Sequence, residues 1–278
     1  MSQEIIIAKN IYQRVYGFSP RYYTVLHGGL SNLVLKEEEL VIRLKKRSDV
    51  AFYDSATEYL NFLAASKANL APQLRYFDLA TGNLAYNYLF GQISWVSKGM
   101  NPLLLEKLGL YILALHSLKG GKGQFKAKER FDYWKKESGV TCFYDRDEEE
   151  TRQIVESTIE DEPLCYSHND LVKGNIIAIP HKGFRFLDFE FSGLNNEMFD
   201  IASLLSENEI TNEKEQIAVL KGYYGKRYDP LLLSKCHKFM RYENYLWFYW
   251  AKFRYLETGE KTFNIIANEK RRALLINH

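Results

Sequence analysis

Two short segments carry residue types that can do chemistry together. The first is Tyr166-Ser167-His168-Asn169-Asp170-Leu171-Val172-Lys173-Gly174-Asn175, and the second is Leu187-Asp188-Phe189-Glu190-Phe191. Asp170 stands five residues before Asn175, and Asp188 stands thirteen beyond it. Kinase-type phosphoryl transfer needs that inventory: one carboxylate accepts or orients the proton of an acceptor hydroxyl, while an amide oxygen and a second carboxylate hold Mg²⁺ on the nucleotide phosphates. Mg²⁺ takes oxygen ligands, which Asn175 and Asp188 supply. Strands are expected at Leu164–Tyr166, Asn175–Ile179 and Gly183–Leu187, so a hairpin would bring Asn175 and Asp188 to one point. Asx residues are also ordinary turn formers, and His168 alone reads as a packed loop residue more readily than as a base. The combination, set between strands, favours the chemical reading.

A second constellation is Leu26-His27-Gly28-Gly29-Leu30-Ser31-Asn32, between expected strands at Arg21–His27 and Asn32–Lys36. Gly28 and Gly29 permit a tight turn and close backbone approach to phosphates, and Ser31 and Asn32 offer side-chain hydrogen bonds. Taken alone, a Gly-Gly pair is better explained by a plain β-turn. Its position gives it weight, because it precedes the strand Glu39–Leu44, where Val41, Arg43 and Lys45 would share one face. Arg43 lies fifteen residues before Glu58 on a helix expected at Asp49–Lys67, a pairing that could position a phosphate-binding cation. Lys45 and Lys46 compete with Arg43 for that role.

The elements that must position these residues fall into two groups. Residues 1–90 read as short strands around one helix, with further strands at Leu74–Asp78 and Asn83–Leu89 separated by the turn Thr81-Gly82-Asn83. Residues 91–278 read as mainly helical: Leu103–Leu118, stopped by Lys119-Gly120-Gly121, then Arg130–Glu137, Glu148–Glu160 and everything from Met198 onward. The expectation is an α+β, two-lobed architecture, a small β-rich lobe and a larger helical one, with a ligand cleft between them. At 46% hydrophobic residues the chain is no disordered polymer. Its 37 Lys+Arg against 35 Asp+Glu argue against a dedicated nucleic-acid binder, which shows a strongly basic face. Cys142, Cys165 and Cys236 form no CxxC pair and suit a reducing, cytoplasmic compartment. The apolar run after Glu4 is too short for a signal peptide, and Leu79–Ser97 is broken by Thr81, Asn83, Asn87, Gln92 and Ser94, so no stable membrane association is expected.

Gly28-Gly29-Leu30-Ser31-Asn32, His168-Asn169-Asp170 through Asn175, and Asp188-Phe189-Glu190 together resemble the choline/aminoglycoside kinase group of the protein-kinase-like fold. The stretch Leu187–Phe191, then Asn195, Phe199-Asp200-Ile201 and Glu207, is similar to the choline and ethanolamine kinase branch. The resemblance spans Tyr23 to Leu275 and is specific from Ser167 to Glu207. It implies ATP and Mg²⁺ as cofactors, Asp170 as catalytic base with His168 beside it in the motif, and Asn175 and Asp188 as metal ligands with Glu190 as the second acidic residue of the set. It further implies Arg43 and Glu58 as the phosphate-binding cation and its helix partner, and Glu207 as an acid near a choline ammonium. Two departures concern the acceptor and the small lobe: Phe191 stands where many members have Tyr, and Leu44-Lys45-Lys46-Arg47 replaces a Pro-Gly turn.

A quaternary ammonium cannot donate hydrogen bonds, so it is recognised by ring faces and a nearby carboxylate. The chain has 15% aromatic residues, and Tyr242–Phe253 concentrates them at helical spacing. Trp247 and Trp250 share one face, as do Trp250 and Phe253, and either pair fits the resemblance. The resulting expectation is a kinase that phosphorylates a small-molecule alcohol, choline first. Ethanolamine, an aminoglycoside or thiamine are the alternative acceptors, and a catalytically dead binding module is the alternative outside enzymes. An aminoglycoside pocket should be acid-lined, whereas this helix is ring-rich. Oligomeric state is not legible.

Overall fold

Alternation along one strand organises the small lobe. In β3 (Leu40–Lys45), Leu40, Ile42 and Leu44 pack with Ala8, Ile11 and Tyr12 of helix α1 (Gln3–Tyr16). Val41 and Arg43, on the opposite face, turn to the cleft. The computed structural model describes residues 3–20, 22–26, 32–46, 51–91, 101–140 and 147–276. Gly28, Gly29 and Ser31 lie outside the described residues, as does Cys142. The lobe is an antiparallel sheet in the order β1-β2-β3-β5-β4, formed by β1 (Thr24–Leu26), β2 (Asn32–Glu37), β3, β4 (Leu74–Phe77) and β5 (Leu84–Asn87). The Thr81-Gly82-Asn83 turn closes the β4–β5 hairpin, with Gly82 at φ 72 where a side chain would be strained.

Two features of this lobe differ from the sequence expectation. It holds two helices, because α1 covers the back of the sheet with the i, i+3, i+4 set Ala8, Ile11 and Tyr12, a face too narrow to stand out beside the run Ile5-Ile6-Ile7. The other helix, α2 (Ser55–Lys67), starts later than expected. The Asp54 carboxylate accepts from the N–H groups of Ala56 and Thr57 and fixes the start there.

The larger part contains α3 (Pro102–His116), α4 (Ala127–Glu137), α5 (Asp147–Asp161), α6 (Glu197–Glu207), α7 (Glu213–Tyr224), α8 (Leu231–Thr258) and α9 (Lys261–Ile276). Two small ribbons sit on it: β6 (Leu164–Ser167) pairs with β9 (Gly193–Asn196), and β7 (Ile176–Ile179) pairs with β8 (Gly183–Phe186), both antiparallel. Strand β9, Gly-Leu-Asn-Asn, has no strand-favouring residue and exists because β6 supplies its hydrogen-bond partners. Helix α2 joins the two parts. Its Phe62 stacks on Phe189 with ring centroids 5.3 Å apart, and its Asn61 donates to Lys122 O and Ser192 Oγ. No helix among the described residues is long and apolar enough to cross a membrane.

The floor of the larger lobe depends on two glycines where α3 and α7 touch. A Cβ on Gly109 would meet Val219 O at 2.3 Å, and one on Gly222 would meet Glu106 O at 1.9 Å. In a free helix Gly→Ala stabilises by about 1 kcal/mol. Here the backbone clash reverses the sign, and overpacking costs about 1–3 kcal/mol or more. Gly222→Ala should therefore lower Tm by roughly 2–5 °C in a scanning-calorimetry trace. A Tm equal to the parent's would mean the two backbones do not approach this closely.

Candidate active site

The loop after β6 is held from below by one carboxylate. Asp200, fully buried on α6, accepts from the His168 N–H at 2.7 Å through Oδ2 and from the Asn169 N–H at 2.6 Å through Oδ1. His116 Nε2 from α3 reaches the same Oδ2 at 2.9 Å. The Tyr223 hydroxyl donates its one proton to Glu197 Oε2, so it must accept from His116 Nδ1 at 2.7 Å. Both ring nitrogens of His116 therefore donate, which defines an imidazolium. Burial opposes that charge, but the Asp200 and Cys165 side chains outweigh it and raise the His116 pKa to about 10. Burial likewise opposes the Asp200 charge, and His116 keeps that carboxyl below its ordinary value.

Asn169 completes the loop. It adopts the left-handed conformation at φ 65, and its amide donates to the carbonyls of Phe191 and Gly193, while Asn195 Nδ2 donates to its Oδ1 at 2.8 Å. His168 is fully buried, and its Nε2 donates to Leu187 O at 2.8 Å. Burial lowers its pKa, so the ring is neutral, and it faces Phe189 rather than a cavity. His168 thus ties the Asp170 loop to the strand end that carries Asp188.

The β7–β8 ribbon brings Asn175 and Asp188 together at its open end, where the Leu187 N–H donates to Asn175 O at 2.9 Å. Asn175 Nδ2 donates to Asp170 Oδ2 at 2.8 Å and to Asp170 O. That bond turns the amide so that its Oδ1 points away from Asp170 and is engaged by no hydrogen bond among the described residues. Burial, then Asp188, Glu190 and Glu207, push the Asp170 carboxyl well above the usual range, against the pull of Asn175.

Cations from the small lobe cross to these acids. Arg43 Nη1 lies 2.5 Å from Glu58 Oε1 and 2.6 Å from Asp188 Oδ1, and its Nη2 donates to Gly82 O. Burial opposes its charge, and Glu58 and Asp188 hold it above the ordinary value. Asn32 Nδ2 donates to Asp188 Oδ2 at 3.4 Å. Lys45 Nζ lies 2.8 Å from Glu190 Oε2 and 3.5 Å from the centre of the Tyr53 ring. Arg43 and Lys45 therefore divide the work: Arg43 faces Asp188, and Lys45 faces Glu190.

Asn175 and Asp188 lie where two cavities meet. One, of about 240 Å³, opens under the sheet between Leu26, Val41, Arg43, Leu84, Tyr86 and Tyr88. The other, of about 320 Å³, runs from Asp170 and Glu190 to Phe191, Glu207, Trp247 and Trp250. The two indoles are 5.7 Å apart at 88°, and Phe191 meets Trp247 edge-to-face at 5.5 Å. Phe253 lines neither cavity and packs on Tyr133 at 5.7 Å. Along α8 each residue advances about 100°, so Phe253 sits about 120° around from Trp247 and faces away from the cavity.

The donor set at the junction suits a hard cation that brings its own ligands. Among the described residues no cluster of three or more His, Cys, Asp or Glu could hold a metal by itself. An amide oxygen and a carboxylate fit Mg²⁺, which is bound through one or two side chains with substrate phosphates and water. A small antiparallel lobe over a helical one, with two cavities sharing an Asn–Asp pair beside a third carboxylate, is the architecture of kinase-like phosphotransferases.

The comparisons with known proteins resolve that class further. The choline/ethanolamine kinase family model matches residues 23–229, and the chain belongs to that family. It is thereby placed among phosphotransferases that act on an alcohol group. Protein LicA of Haemophilus influenzae is 24% identical over 243 residues, 81% of this chain and 71% of that protein. The crystal structure of choline kinase LicA from Streptococcus pneumoniae superposes with a TM-score of 0.79 at 19% identity, covering 99% of each chain. LicA in complex with AMP superposes with a TM-score of 0.74 at 18% identity, again over 99% of each chain.

Several residues of the site were not singled out from sequence. Lys270, Glu269, Ile266 and Ala273 of α9 wall the larger cavity, with Glu209 from the turn after α6 and Asn244 from α8. Lys270 Nζ is ion-paired with Glu207 Oε1. Glu243, one turn before Trp247, is fully buried with neither carboxylate oxygen hydrogen-bonded. Burial and then Glu207 push its carboxyl well above the usual range, against Lys270. The helical spacing of Glu243 to Trp247 was available as a signal; the pairing of Lys270 with Glu207 was not.

The clamp under the loop has a pH signature. The folded His116 pKa, about 10, lies above the ordinary 6.5, so its stabilising contribution is complete below pH 6.5 and is lost as pH rises towards 10. His116→Gln should lower Tm at pH 6.5 and remove that component of the alkaline decline, so the two Tm–pH curves converge towards pH 10. Parallel curves from thermal melts across this range would contradict a charged His116.

Proposed function

We propose that this chain transfers the γ-phosphoryl group of ATP to the hydroxyl of choline, giving phosphocholine and ADP. The observation that carries the reading is the junction of the two cavities at Asn175 and Asp188, with Asp170 on the acceptor side. The nucleotide base fits the apolar cavity under the sheet. Its phosphates would point towards Arg43 and Asn32, and the LicA complex with AMP supports a nucleotide there. Asn175 Oδ1 and Asp188 would hold Mg²⁺, which supplies charge neutralisation on the phosphates, with Glu190 a further carboxylate beside them. Arg43, which also pairs with Glu58, would then be available to phosphate oxygens.

On the other side Asp170 takes or orients the hydroxyl proton. The acceptor oxygen forms its bond to the γ-phosphorus, and the bond to the bridging oxygen breaks with ADP leaving. His168 acts in this scheme as a positioning residue. The trimethylammonium fits between Trp247, Trp250 and Phe191, with Glu207 supplying the opposite charge. Cys165 and Cys236, both free, fit a cytoplasmic setting, where both substrates are small solutes. Glu207, Glu209 and Glu269 also make the cavity acid-lined, a specific reason to keep a polyamine acceptor such as an aminoglycoside as the second reading.

Asp170→Asn keeps the bond geometry to Asn175 and removes the proton acceptor, so kcat in a choline-dependent ADP-release assay should fall roughly 10²–10⁴-fold with nucleotide affinity retained. Turnover at the parent's rate would sink the assignment. Trp250→Ala removes a ring face worth about 0.5–2 kcal/mol to a bound cation, so KM for choline should rise roughly 3–30-fold while KM for ATP stays put. An equal rise in both constants would mean Trp250 serves packing alone.

A further inference from the structure

Lys270 places an ammonium of the protein's own in the cavity where the acceptor's ammonium is expected. Its side chain is 11% exposed, that of Glu207 is 14% exposed, and the pair lies at the end of the cavity formed by Ile266, Lys270 and Ala273 of α9. The remaining carboxylates of this wall differ from Glu207 in a way that matters. Glu209 and Glu269 are exposed at the mouth, while Glu243 is fully buried beneath it with neither oxygen hydrogen-bonded. On this wall, away from Asp170 and Glu190, Glu207 is therefore the partly enclosed acid that an incoming ammonium would reach, and one of its oxygens is already taken.

Resting on the choline reading above, we propose that Lys270 is a specificity-determining residue: by occupying Glu207 Oε1 it makes the cavity select a quaternary ammonium over a primary one. The physical reason lies in how closely each cation must approach. A primary ammonium replaces its lost water only by donating hydrogen bonds, so it has to come within about 3 Å of an acceptor. At Glu207 that position is beside the Lys270 ammonium, where like charges repel most steeply. A trimethylammonium donates nothing, and its methyl groups keep the nitrogen away from Glu207 and Lys270 alike. It needs ring faces, which Trp247, Trp250 and Phe191 offer whether or not Glu207 is engaged. The exposed Glu209 and Glu269 attract both cations and do not discriminate between them. Lys270 thus penalises ethanolamine selectively, although both molecules carry one positive charge and one hydroxyl.

The test is a set of dissociation constants for ethanolamine, its N-methyl and N,N-dimethyl derivatives and choline, read by quenching of tryptophan fluorescence and by calorimetry with Mg²⁺-ADP present. The parent should bind more tightly with each added methyl. Lys270→Met, which keeps the stem and removes the charge, should tighten ethanolamine more than choline and shrink the choline:ethanolamine affinity ratio by roughly tenfold or more. Lys270→Arg should keep the parent's ratio. Should Lys270→Met not fold, Lys270→Met combined with Glu207→Gln removes both charges together. In that protein the methylation series should keep its slope, because this wall then offers a primary ammonium no partly enclosed carboxylate, only the exposed Glu209 and Glu269. A ratio unchanged in Lys270→Met, a flat methylation series in the parent, or no binding of either cation would overturn the proposal. Binding that follows the series without any turnover by the parent would instead overturn the catalytic reading and leave the selectivity of Lys270 standing.

Discussion

Two consecutive peptide N–H groups, those of His168 and Asn169, end on the two oxygens of the Asp200 carboxylate, and the placing of Asp170 follows from that. A carboxylate buried this fully is tolerable only with its charge matched and its lone pairs filled, and His116 supplies the charge. The chain of bonds then runs outward through Tyr223 to Glu197 on one side and through Asn169 to Asn195 on the other. The loop that carries Asp170 is in this way fixed by backbone hydrogen bonds to a helix. The Asp170 side chain is left with one orienting partner, Asn175, and an opening to the cavity.

Charge arrangement across the cleft is the second constraint. Arg43 and Lys45, two residues apart on one face of β3, meet Asp188 and Glu190, two residues apart after β8. The small lobe therefore carries the cations and the larger lobe the acids, and ionic contact closes the cleft over the Asn175–Asp188 junction. Glu58 and Tyr53 hold the cations from behind, Glu58 through Arg43 and Tyr53 through its ring against Lys45. Glu58 thus keeps Arg43 paired independently of Asp188. The apolar cavity under the sheet and the ring-and-acid cavity beyond Asp170 lie on opposite sides of this closure, as a transfer between two bound molecules requires.

What was legible in the sequence was local. Asp170, Asn175 and Asp188 sit in segments short enough for spacing to reveal them, and the alternation Val41, Arg43, Lys45 gave the face that crosses the cleft. The contacts that tune the site join residues far apart: Asp200 with His116, Lys45 with Glu190, and Glu207 with Lys270. No periodicity records such pairs, because each depends on how whole helices pack. Helix α8 shows both sides of this. Its rings announced an aromatic wall, but which rings face the cavity depends on the rotation of the helix, and that put Trp247 and Trp250 inside and Phe253 outside. Strand β9 was hidden for a related reason, since a Gly-Leu-Asn-Asn segment becomes a strand only beside β6.

The most direct test of the account is to follow ³¹P resonances of Mg²⁺-ATP with the purified chain and, in separate tubes, choline, ethanolamine, kanamycin and thiamine. The account predicts that choline alone, or choline well ahead of the others, converts the γ-phosphorus signal into a phosphomonoester signal with one ADP formed per ester. Phosphorylation of kanamycin in preference to choline would contradict the acceptor assignment. A folded chain that binds ATP yet forms no ester with any of the four would contradict the catalytic reading of Asp170, Asn175 and Asp188.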